Sequence, residues 1–267
     1  MMSALDTLFR DLRLANRKAL MPFVTAGDPN LQFTADLLRC LIARGSSLCE
    51  LGIPYSDPIA DGPVIQNSYT RALQHKIKLA EIFDMLGRVT PELKAPVVSM
   101  VSYSIIYRQG LDAYVTAARK AGVAGAIVPD LPAEESSALA EVCRRQDFSL
   151  IQLIAPTTPR ERALRIAERT SGFIYYVSVT GITGERTELP PEILDNVAWL
   201  RGQTPLPICI GFGISRPEHV RMLAPVADGL IVGSAIVRRV AEASTRPPEV
   251  VLQEIGDYIA ELLAALQ

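Results

Sequence analysis

The feature that most constrains this chain is its rhythm. Short runs rich in apolar and β-branched residues alternate with helix-periodic segments from one end to the other. The strand-like runs fall at 20–25, 48–53, 97–102, 125–128, 150–155, 173–177, 207–210 and 229–232. Helical spacing of apolar residues marks 31–43, 79–89, 111–120, 133–145, 159–169, 191–201, 217–223 and a terminal 247–266, and 4–16 forms a leading helix. Pro residues stand at or near several of these helix starts, where the missing N–H is an orphan donor in any case. Strands that are apolar almost throughout suit a parallel sheet covered on both faces. Eight strand–helix units therefore predict an α/β fold, a (β/α)8 TIM barrel with an extra N-terminal helix. The competing arrangement is an open doubly wound sheet, which would need a reversal of strand order. No Pro/Gly/Ser linker divides residues 1–267, and about 250 residues is typical of such barrels, so one domain is expected.

Composition narrows the function classes. Aromatics are 6% of a chain that is 49% hydrophobic, so the core is aliphatic. A net charge of −2, spread without blocks of one sign, suggests neither a nucleic acid nor a membrane as partner. Cys40, Cys49, Cys143 and Cys209 lie far apart, no C-x-x-C occurs, and His75 and His219 are isolated. That pattern reads as reduced thiols and offers no metal site. The N-terminus has no apolar core of a signal peptide and no run reaches membrane-spanning length, so a cytoplasmic protein is expected.

Glu50 is the first candidate for chemistry. A carboxylate inside an apolar strand is costly to bury ionised, so it must find donors or raise its pKa, and a raised pKa suits general acid–base work. A core acid satisfied by an Arg or a backbone N–H is the competing account, and position alone does not separate the two. Asp61 follows in the long connection 54–65. An Asp before Gly is usually a turn former, yet this loop leaves the C-terminal end of the Glu50 strand, where barrel active sites lie. Gly211-Phe212-Gly213 and Gly233-Ser234 follow the last two strands, where glycine backbone and a helix N-terminus favour phosphate. A lone G-x-G is often only a tight turn, but two glycine sites at the ends of consecutive last strands, with the Ser234 hydroxyl, favour phosphate. The other long connection, 178–190, carries Gly181 and Gly184 and reads as a lid or as a plain surface loop.

Several collinear motifs then resemble the tryptophan synthase α subunit family over essentially the whole chain. They are 22–29 (PFVTAGDP), 50–63 (ELGIPYSDPIADGP), 128–132 (VPDLP), 155–159 (APTTP), 180–184 (TGITG), 211–215 (GFGIS) and 233–235 (GSA). The resemblance implies cleavage of indole-3-glycerol phosphate to indole and glyceraldehyde 3-phosphate. In that scheme Glu50 protonates C3 of the indole and later takes a proton from the glycerol hydroxyl. Asp61 holds the indole N–H. Phe23, Ile127, Ile154, Tyr175 and Thr183 match the indole pocket, and Gly184, Gly213, Gly233 and Ser234 match the phosphate site. No cofactor is implied for this subunit, since pyridoxal phosphate belongs to a β partner. Pro54, Asp57 and Ser104 match the surface facing that β subunit in an αββα heterotetramer. Departures cluster at 99–105 (SMVSYSI), where the family reads roughly LMTYYNP, and Lys76 and Glu185 stand where smaller residues are common. Two further functions fit this pattern: a free-standing lyase that releases indole, and a non-catalytic subunit that only activates β. A phosphosugar isomerase on the same barrel has only the glycine sites in its favour.

Overall fold

A computed structural model describes residues 3–58, 61–177, 191–211 and 213–266 of the chain. Its strands are β1 (Ala19–Thr25), β2 (Cys49–Gly52), β3 (Val97–Met100), β4 (Val123–Ile127), β5 (Ser149–Ile154), β6 (Ile174–Val177), β7 (Ile208–Gly211) and β8 (Gly229–Val232). Each pairs in parallel with the next, and β8 pairs with β1, which closes the sheet into a barrel and excludes the open arrangement. Around it run α1 (Ala4–Leu14), α2 (Leu31–Ala43), α3 (Pro63–Gln74), α4 (Leu79–Val89), α5 (Tyr103–Gln109) and α6 (Leu111–Lys120). The second half adds α7 (Ser137–Arg145), α8 (Arg160–Glu168), α9 (Pro191–Arg201), α10 (Pro217–Leu223), α11 (Ser234–Glu242) and α12 (Pro248–Ala264). Among the described residues no helix is long and apolar enough to cross a membrane.

Alternation along each strand splits the apolar side chains into two layers. Leu20 and Val24 of β1, Cys49 and Leu51 of β2, and Leu150 and Ile154 of β5 pack outward against the helices. Met21 and Phe23, Val98 and Met100, Ile127, Ile151 and Ile231 fill the interior. The N-terminal mouth is plugged by α1, which sends Leu5, Phe9 and Leu12 into that inner cluster and sets Phe9 5.7 Å from Phe173. A capping box starts this helix: the Ser3 hydroxyl accepts from the Asp6 N–H at 3.1 Å and the Asp6 carboxylate accepts from the Ser3 N–H at 3.0 Å. Cys49, Cys143 and Cys209 are buried free thiols, whereas Cys40 is half-buried between α2 and α12, its thiol donating to the Leu252 carbonyl at 3.5 Å.

The structure corrects the expected elements in two places. The connection after β2 is shorter than 54–65, because Gly62 caps α3 and Pro63 opens it. Seven-residue α5 begins directly after β3, where only loop was expected. The Ser102 hydroxyl accepts from the Ser104 N–H, and Asp130 accepts from the Ser102 hydroxyl at 2.6 Å and the Tyr103 N–H at 2.8 Å. Beyond α3, Lys76 holds φ of +53°, a left-handed conformation that a glycine adopts without strain.

Candidate active site

Three acidic residues are buried among the described residues, and two of them are well supplied with donors. Asp28 takes both arms of the Arg71 guanidinium, at 2.9 and 2.6 Å. Asp228, near the N-terminal mouth, accepts from the Ile208 N–H at 3.0 Å, from Arg201 at 3.2 Å and from Arg13 at 3.3 Å. Glu50 is different. It is 0% exposed and neither carboxylate oxygen has a hydrogen-bond partner. Its register neighbours explain why: Phe23 on β1 and Val98 on β3 flank it, and neither side chain offers a donor. Burial without compensation pushes the Glu50 pKa well above the ordinary carboxylate value, so the acid carries its proton to higher pH than a free carboxyl does.

Above Glu50, at the C-terminal end of the strands, lies a cavity of about 160 Å³. Phe23, Ile65, Met100, Leu153, Tyr175 and Ile231 make it apolar. Asp61 lines it from the loop before α3, and burial raises this carboxyl to about 6. The two acids thus have different environments, Glu50 enclosed in the barrel and Asp61 at the cavity wall. The Tyr175 ring lies against Gly211 so closely that any side chain there would collide with it.

The far end of the same cavity is built for an anion. Gly213 after β7, at φ of +22°, meets Gly233 and Ser234 at the start of α11. A Cβ on Gly233 would come no nearer than 3.7 Å to Phe23, so the protein itself leaves that face of the backbone open. The first N–H groups of a helix have no intrahelical acceptor, and the dipole adds partial positive charge there. Ser215 and Arg238 line this end as well, and the Ser215 hydroxyl is buried without a partner. An acid poised to give a proton, a second acid beside an apolar chamber and an anion cradle suit a planar apolar ring carrying a phosphorylated tail.

The family model of the tryptophan synthase alpha chain matches residues 9–265. The chain belongs to this family. It is 57% identical to the tryptophan synthase alpha chain of Rhodopirellula baltica, with 99% of each chain covered, and 44% identical to that of Rippkaea orientalis, with 100% of this chain and 99% of the relative covered. Among solved structures, tryptophan synthase subunit alpha of Legionella pneumophila superposes with a TM-score of 0.91 at 34% identity, covering 100% of this chain and 99% of that one. The tryptophan synthase complex of Pyrococcus furiosus gives a TM-score of 0.84 at 35% identity, covering 93% and 99%.

Of the residues expected at the site, Phe23, Tyr175, Asp61, Gly213, Gly233 and Ser234 line the cavity, and Ile127 lies in the inner cluster. Ile154 does not belong there. It packs in the outer layer against the helices, and Leu153, one residue earlier on β5, turns to the cavity instead. Thr183, Gly184 and the rest of 178–190 lie outside the described residues. On the expected partner-facing rim, Asp57 and Ser104 are exposed, but Pro54 is buried within this chain. Ser215, Arg238 and Leu153 escaped the sequence reading. Arg238 stands four residues after Ser234, the spacing of helical neighbours, and that was its available signal.

Proposed function

We propose that the chain, acting as one barrel domain, is a cytoplasmic carbon–carbon lyase that cleaves indole-3-glycerol phosphate into indole and glyceraldehyde 3-phosphate for tryptophan synthesis. The observation that carries this reading is the unpartnered, fully buried carboxyl of Glu50 beneath a cavity shared with Asp61 and an anion cradle.

The chemistry follows from those environments. With its pKa raised, Glu50 starts protonated and gives that proton to C3 of the indole ring, which leaves positive charge on the ring nitrogen. Asp61, with a pKa of about 6, is mostly ionised at neutral pH and accepts the N–H hydrogen bond, so its charge opposes the one that develops. The hydroxyl on the carbon attached to C3 then loses its proton to the Glu50 carboxylate. The bond between that carbon and C3 breaks, its electrons return to the ring, and the aldehyde forms. Gly184, Gly213, Gly233 and Ser234 hold the phosphate, and Phe23, Ile127, Leu153 and Tyr175 surround the ring. In this scheme Glu50 does all the proton transfer, and no cofactor takes part.

The same reading gives the chain a β subunit as partner, with pyridoxal phosphate on that subunit and indole passed to it within an αββα heterotetramer. The rim bearing Ser56, Asp57 and Ser104, all exposed, is the surface proposed for the contact. The test is indole release from indole-3-glycerol phosphate by the purified chain, alone and with the β subunit of the same source. Turnover that rises on adding β supports both parts. No indole under either condition overturns the activity, and a rate indifferent to β overturns the partnership.

A further inference from the structure

Once Glu50 has given up its proton it becomes an anion in a box that holds no partner for it in the present arrangement. An ionised carboxylate buried that way is prohibitively costly, so the cycle needs a donor that meets it only after proton transfer. Among the described residues, the titratable groups that feel the Glu50 charge are Tyr175 on β6, Cys209 on β7 and Tyr69 on α3, with Cys49 beside it on its own strand, and Asp61 before α3 acts on the same two tyrosines. Tyr55, in the loop after β2, lies behind Tyr69, their rings 5.7 Å apart. Phe23 on β1 and Val98 on β3 contribute no titratable group.

Tyr69 is placed differently from the others. Gly52 follows Glu50 by two residues and so faces the same interior side, about 6.6 Å further along the strand. A Cβ on Gly52 would sit 2.8 Å from the Tyr69 hydroxyl and 2.5 Å from Cζ of Phe23. The phenol therefore occupies the space over Gly52 that any other residue would fill, at the inward position of β2 next after Glu50. The ring is 1% exposed, held by the inner cluster and by Tyr55. Next to it Ser68 fixes the helix to β1 through a 2.6 Å hydrogen bond with Thr25. Both Asp61 and Glu50 act on the Tyr69 phenol, whose pKa burial holds well above its ordinary value, so it remains a donor at every working pH.

We propose that Tyr69 is a positioning residue for the acid–base carboxyl, its hydroxyl donating to the Glu50 carboxylate after the proton has left. The proposal rests on the lyase reading for its place in the cycle, but the hydrogen bond itself can be read without substrate. Tyr69→Phe keeps the ring and its packing and removes only the donor. In the free chain, carboxyl-labelled glutamate followed by NMR, with Glu50 assigned through Glu50→Gln, should titrate about one pH unit higher in Tyr69→Phe. That is the tenfold expected for a lost hydrogen bond to a charged group. In turnover of indole-3-glycerol phosphate, kcat should fall about tenfold or more with KM within about twofold, and the alkaline limb of the pH profile should move up with the titration. A kcat loss without movement of the Glu50 midpoint would mean that Tyr69 only supports the fold and would overturn the assignment. An unchanged midpoint with unchanged kcat would overturn it too. A shifted midpoint in a chain that cleaves no indole-3-glycerol phosphate would uphold the hydrogen bond and refute the lyase reading alone.

Discussion

Replacing Glu50 by Gln should remove the activity and change the stability of the fold in a way that depends on pH. In the unfolded chain the carboxyl ionises near its ordinary value of 4.5, whereas in the barrel burial holds it protonated well above that. A folded pKa raised in this way leaves stability intact below the unfolded value. As pH rises from there, the unfolded form gains by ionising while the folded form does not. With the native carboxyl still protonated, that gain is about 0.8 kcal/mol at pH 5 and about 2 kcal/mol at pH 6. Gln has no such term. Its own buried amide adds a cost on the order of 1–3 kcal/mol, but that cost is the same at both pH values. The difference in unfolding free energy between variant and wild type should thus change by about 1.2 kcal/mol in the variant's favour from pH 5 to pH 6. Asp61 also titrates in this range, but it is present in both proteins and cancels. Urea unfolding at the two pH values, followed by circular dichroism, measures it, and turnover should fall by about 10²–10⁴-fold. An identical difference at both pH values would show that Glu50 ionises as an ordinary carboxyl, and the argument from its missing partners would be refuted.

The remaining expectations concern the other parts of the site. Asp61→Asn should bind substrate yet lose most turnover, and the acid limb of the rate profile near pH 6 should vanish with it; a limb that persists belongs to another group. Ser234→Ala should weaken phosphorylated ligands modestly and Gly213→Val severely, with free indole little affected in the Ser234 variant, as calorimetry with glycerol phosphate and with indole can separate. Lys76→Gly should stabilise the chain by up to about 1 kcal/mol in urea unfolding, because glycine relieves the left-handed φ of +53° and loses part of that gain to its freer unfolded state; a destabilised variant would mean that the Lys76 side chain contributes more than the strain costs.

The barrel was legible in the sequence because its strands are buried on both faces, which leaves apolar runs that stand out from amphipathic helices. The same property hides which residue faces which way. In 150–154 every residue but Gln152 is apolar, so nothing in the pattern says that Leu153 and not Ile154 enters the cavity. Cys49, Glu50 and Leu51 are all buried, and only pairing with Phe23 and Val98 turns Glu50 inward. The family resemblance puts Pro54 on the partner-facing rim, yet this chain buries it. Tyr69 had no signal at all. It lies on α3, whose polar residues Gln66, Asn67, Thr70 and Arg71 blur the helical spacing of Ile65, Tyr69 and Ala72. The phosphate cradle was easier, since glycines at the ends of two successive strands point to one face of a barrel whatever the side-chain parity.

The two ends of the barrel treat buried charge in opposite ways, and that contrast separates structure from function here. At the N-terminal mouth, Asp228 is 4% exposed but holds a backbone N–H and two guanidinium groups, one of them carried by the α1 plug and the other by α9. Those donors tie a helix at each side to the strand ends, so this acid works as a clasp. Removing either guanidinium leaves the carboxylate its backbone N–H and the other guanidinium. At the C-terminal end Glu50 is buried more completely and given nothing. A fold selected for stability alone would place Gln, Met or Leu there, as its neighbours Phe23 and Val98 invite. The proton that carboxyl keeps, as the cost of ionising it unaided, is the one the proposed reaction needs.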